Sequence, residues 1–107
     1  MLINRFNGKY PPNNEWREIQ GTVVRITSTI VYRFSEYEGP NYLENIMHTL
    51  YNWTQTEEGK WIIDNAIYTP IWHQLISPDV FGYDCYISAS LKESDITFWR
   101  LKWSNVK

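Results

Sequence analysis

The sequence predicts an α+β fold, a small antiparallel β-sheet with one amphipathic helix packed on one face. Three stretches carry that reading. Residues 22–34 alternate apolar and polar side chains with period two. Residues 42–57 repeat apolar side chains at helical spacing. Residues 83–103 alternate again on both sides of a short polar turn.

In chain order, Asn7-Gly8 is a type I′ turn pair that would join short strands at Leu2–Phe6 and Lys9–Tyr10. Tyr10-Pro11-Pro12-Asn13-Asn14 then breaks regular structure, so residues 1–15 read as an irregular arm. From Thr22 to Phe34, Val24, Ile26, Ile30, Tyr32 and Phe34 fall at even positions, against Arg25, Thr27, Thr29 and Arg33 at odd ones. That is a half-buried strand with one wet face. Its length places a bulge or bend near Thr27-Ser28-Thr29.

Gly39-Pro40 ends this region, and Asn41 with Glu44 three residues later has the form of a capping box. Leu43, Ile46, Met47, Leu50 and Trp53 give the helix its apolar stripe, and Gly59 stops it. Trp61-Ile62-Ile63 and Ala66–Ile76 read as extended, with Pro70 confining the second to a sheet edge or a bulge. Ser77-Pro78-Asp79 and Gly82 mark a loop. Tyr83, Cys85, Ile87, Ala89 and Leu91 then share one face of a strand. Lys92–Asp95 turns the chain, and Ile96–Trp103 returns with Trp99, Leu101 and Trp103 inward. The expected order is β–α–β–β–β, one domain over residues 1–107.

Six Trp, eight Tyr and four Phe exceed what one small core needs. Tyr and Trp join apolar area to a polar edge, the combination favoured at interfaces. A net charge of −2 gives no global field toward nucleic acid or an anionic membrane. One cysteine allows no intrachain disulfide and fits a reducing compartment. No apolar run nears the roughly 20 residues a membrane span needs, and the first residues lack a signal-peptide stretch. The expectation is a cytoplasmic protein, in the host cytoplasm if viral. Two Ala against twelve Ile and nine Asn is a bias common in AT-rich genomes, many viral ones included.

No catalytic motif, metal site or cofactor is predicted. His48, His73 and Cys85 lack the close pairing of zinc ligands. Cys85 falls at an apolar strand position, and Ser77 and Ser88 have no nucleophile-elbow context. Asp79, Asp84 and Asp95 fall in or beside turns, where Asp serves the backbone. If a pocket exists, His48, His73 and Asp84 are its candidate polar handles.

The partner-binding candidates are aromatic and basic. With the even positions of residues 22–34 turned to the helix, Arg25 and Arg33 point away. With Trp99 and Trp103 inward, Phe98, Arg100 and Lys102 point outward. In one sheet these five would share an open face. Trp16, Tyr68, Trp72 and Tyr86, with Tyr10, are expected as exposed aromatics around an edge strand that invites a partner. Glu36, Glu38, Glu57 and Glu58 form a candidate acidic patch. The sequence therefore favours a small non-enzymatic module that binds another protein, of inhibitor, immunity or phage-accessory type. One alternative is a structural subunit of a viral or homo-oligomeric assembly. The other is a nucleotide- or sugar-binding domain or enzyme with an aromatic pocket.

Overall fold

Residues 2–79 and 81–104 are described by a computed structural model. The chain is α+β. Its strands are β1 (Asn4–Arg5), β2 (Glu15–Ile19), β3 (Thr22–Tyr37), β4 (Ile71–Ile76) and β5 (Gly82–Lys92). Its helices are α1 (Tyr42–Gln55), α2 (Glu57–Asn65) and α3 (Glu93–Trp99), with a π-helical turn over Arg100–Ser104. The strands form one curled sheet in the order β1-β4-β5-β3-β2. Every pair is antiparallel except β1 with β4, which is parallel.

Two expectations are thereby corrected. The sheet is mixed, not purely antiparallel, and three helices stand where one was predicted. Trp61-Ile62-Ile63 is helical, not extended. Thr56 starts α2, its hydroxyl accepting from the Gly59 amide at 2.9 Å. Glu57 and Glu58 then occupy the first turn of a new helix, where the macrodipole favours acids. The N-terminal hairpin across Asn7-Gly8 is replaced by the β1–β4 pairing. Residues 15–19, of which only Glu15 fell in the predicted irregular arm and the rest were assigned no element, form β2 and return through Gln20-Gly21, both left-handed (φ 52° and 80°) as a type I′ turn requires.

The predicted bulge exists but lies later. Ile30 pairs with Ser88 and Tyr32 with Ile87, leaving Val31 as the extra residue. A single extra residue inverts the alternation. Beyond it, Tyr32 and Phe34 face the helices, opposite Ile87 and Cys85. Before it, Ile26, Ser28 and Ile30 lie on the other face, and Thr27 and Thr29 turn toward the helices with Leu91 and Ala89.

The main core lies between the sheet and the helices. Ile46, Leu50 and Trp53 of α1, Ile62 of α2, and Ile96 and Trp99 of α3 pack there. They meet Trp72, Cys85, Ile87, Ala89 and Leu91 of the sheet. The inward set predicted for β5 is correct from Cys85 to Leu91. The opposite sheet face is concave. Residues 6–14 connect β1 at one edge to β2 at the other and so run across it.

Candidate functional site

On the concave face, cross-strand register sorts the side chains into rows. Ser28 and Ser90 stand side by side, their hydroxyl oxygens 3.2 Å apart. The next row is Ile30, Ser88 and Ile71. The third is Arg33, Tyr86 and His73. Tyr10 and Pro11 of the crossing arm close over these rows, leaving a cleft of about 220 Å³ lined also by Thr29 and Thr69. The arm is held down by Asn13, whose side-chain oxygen accepts from the Ser28 amide at 2.8 Å. Tyr68 ties the curl: its hydroxyl donates to Glu15 at 2.9 Å and accepts from Arg17 at 2.6 Å, both on β2.

His73 is the most constrained group there. Tyr86 stacks on it from the neighbouring strand at 4.3 Å and 11°. Phe6, which follows β1, stacks from the opposite edge at 4.6 Å, and Tyr10 lies at 5.5 Å. Only 4% of the residue is exposed, and Nε2 is buried without a hydrogen-bond partner. Burial holds its pKa below the usual 6.5, so the ring is neutral at physiological pH.

A second feature lies at one end of the sheet. Ile76 and Phe81 are 84% and 88% exposed, and Leu75 and Tyr37 are also exposed. The loop between β4 and β5 is closed by the Ser77 amide on the Gly82 carbonyl and the Glu38 amide on the Phe81 carbonyl. It borders a hollow of about 450 Å³ that Ile76, Phe81 and Tyr83 share with Glu38 and Asp79.

The candidates from sequence separate. His73 and Tyr86 line the cleft, whereas His48 is exposed on α1 and Asp84 accepts from Ser35 at 3.0 Å. Trp72 corrects its expected exposure: it is buried in the main core, with the Arg5 guanidinium 5.0 Å from its ring centre. Trp16 is exposed on edge strand β2, as expected. Tyr68 is half-buried by its contacts with β2.

The five-residue basic face does not form. Arg25 lies before the bulge and Arg33 after it, so they occupy opposite faces. Phe98, Arg100 and Lys102 are helical, not on a strand. Phe98 packs on Trp61 and Trp103, and Lys102 pairs with Glu57 at 3.3 Å. Leu101, expected inward, is exposed. Glu57 and Glu58 are engaged by Lys102 and Trp99.

Cys85 sits in the core, and burial, reinforced by Asp84 and Glu36, pushes its thiol up to about 11. It is a protonated, unreactive group. Sequence reasoning missed Ser28, Ser90 and Phe6 as site residues because the bulge and the arm's path decide their placement. Ile76 and Phe81 carried one signal, large apolar residues on either side of a turn sequence.

No family model, curated protein or solved structure matches the chain.

Proposed function

We propose that this chain is a small non-enzymatic module that binds another protein through the apolar end of its sheet, in the manner of an inhibitor, immunity or phage-accessory protein. The observation that supports it is the near-complete exposure of Ile76 and Phe81 beside a shared hollow. Clustered large apolar side chains rimmed by polar ones mark interaction surfaces. Burying each on a partner would contribute about 1.5–3 kcal/mol, the scale of an interface anchor. Glu38 and Asp79 flank the hollow, so the fitting partner presents an apolar projection with Lys or Arg beside it.

The test is a tagged pull-down from host lysate, run on the wild type, on an Ile76→Ser/Phe81→Ser double variant and on Trp16→Ala. A stoichiometric protein captured by the wild type and by Trp16→Ala, but lost with the double variant, supports the reading. No such protein, or capture that the double variant retains, overturns it. Solution mass is measured alongside. A dimer dissolved by the same double substitution makes a second copy the occupant and replaces this reading with homo-association.

A further inference from the structure

The sheet is left open along the outer edge of β3. β2 pairs with β3 only over Thr22–Ile26, and the Asn13 side chain takes the Ser28 amide beyond it. From Arg33 to Tyr37, β3 has β5 on one side and no strand on the other among the described residues. The phase of the ladder tells which backbone groups face the open side. The Glu38 amide donates to the Phe81 carbonyl at 2.8 Å, one step past the Tyr37–Gly82 pair. Hydrogen-bonded pairs recur at every second residue of an antiparallel ladder, so Glu36, Phe34 and Tyr32 turn their N–H and C=O to β5. Arg33, Ser35 and Tyr37 turn theirs outward, and among the described residues nothing bonds them there. All three residues are exposed.

A row of outward N–H and C=O groups is a template for another extended backbone. β3 can supply that backbone to itself. Two copies paired antiparallel about a twofold axis at Ser35 set Ser35 opposite Ser35 and Arg33 opposite Tyr37 of the second copy. Every open residue then meets an open residue in a hydrogen-bonded pair. The side chains agree with this register. Arg33 has no carboxylate partner among the described residues, and the pairing carries its guanidinium to the exposed Tyr37 ring, a cation–π contact made twice. Neighbouring registers fail. An axis at Arg33 sets two guanidiniums opposite each other, and one at Tyr37 runs Arg33 past Gly39-Pro40, where β3 has ended. We infer that this chain forms a twofold dimer through antiparallel β3–β3 pairing centred on Ser35, joining two five-stranded sheets into one. The seam is independent of the partner proposed for Ile76 and Phe81.

The test is sedimentation equilibrium of the full chain up to millimolar concentration, with oxidative cross-linking beside it. The wild type and the Ile76→Ser/Phe81→Ser variant are expected to dimerise alike. Ser35→Pro removes the outward amide at the axis from both copies, at an edge position where the monomer tolerates proline. It should weaken the dimer about tenfold or more. Ser35→Cys leaves the backbone groups in place. Across the axis its Cα atoms would lie about 5.5 Å apart, within disulfide reach, so oxidation should give a covalent dimer. Val23→Cys, exposed on β3 but far from the axis, should not cross-link. The assignment is overturned if the wild type stays monomeric, if Ser35→Pro dimerises undiminished, or if the Ile76→Ser/Phe81→Ser variant is monomeric. It is equally overturned if Val23→Cys cross-links as readily as Ser35→Cys, or if association grows past the dimer with concentration.

Discussion

The indole Nε1 of Trp99 donates a 2.7 Å hydrogen bond to the Glu58 carboxylate, joining α3 to the first turn of α2. Trp99 is buried, so its N–H depends on this acceptor. Glu58→Ala should destabilise the protein by about 1–3 kcal/mol, because the indole donor is left unpaired. Glu58→Gln keeps an acceptor and should recover most of that. Urea unfolding of the two variants beside the wild type measures both.

Gly59 makes the tightest backbone approach between α1 and α2. A Cβ there would overlap the Trp53 carbonyl oxygen, whereas one at Gly39 meets nothing. Gly59→Ala should therefore cost about 1–3 kcal/mol as an overpacked site. Gly39→Ala should stay within about 0.5 kcal/mol of wild type. Thermal unfolding followed by circular dichroism distinguishes them.

His73 should make stability depend on pH. Its folded pKa lies below the unfolded value of 6.5, so the unfolded chain binds the proton first. The contribution is fully present above pH 6.5 and is lost as pH falls below it. His73→Phe should flatten this part of the profile in urea titrations between pH 7.5 and 5, a window set about the ordinary histidine value.

Cys85 acts at the other end of the scale. Its folded pKa is raised to about 11 from an ordinary value of 9.0, so the folded state holds the proton longer. Stability should fall as pH rises above 9, and Cys85→Ala should remove that slope. The native thiol should also resist a disulfide reagent at pH 8 and react once urea unfolds the chain, since the thiolate is the attacking species.

What sequence made visible follows from how local each cause is. The stripe Ile46–Leu50–Trp53 and the alternation Cys85–Ile87–Ala89–Leu91 are set within single elements, and both face the core as read. Val31 was opaque because a bulge is a relation between two strands, and nothing in Ile30-Val31-Tyr32 marks which residue is extra. That one position moved Ile26 and Ile30 to the face that forms the cleft. Trp99 and Trp103 satisfied two periods at once: both fit strand alternation, and together with Ile96 they fit helical spacing of three and four. Glu93 and Asp95 in the first turn of α3 were the deciding local signal. Strand β2 was hidden because Glu15, Arg17 and Ile19 present no uniform apolar face, and its register comes from the Gln20-Gly21 turn.

The parallel pairing of β1 with β4 has a kinetic consequence. Asn4 finds its ladder partner at Ile71, so β1 cannot join the sheet until β4, far along the sequence, is in place. Long-range closure of this kind slows folding, toward roughly the millisecond-to-second range for sheet-dominated domains of this size. Phe6 and Tyr10 reach His73 only through that late pairing. The cleft is thus completed late in folding, and a chain lacking β4 would have neither its imidazole nor a strand on which Phe6 and Tyr10 could dock.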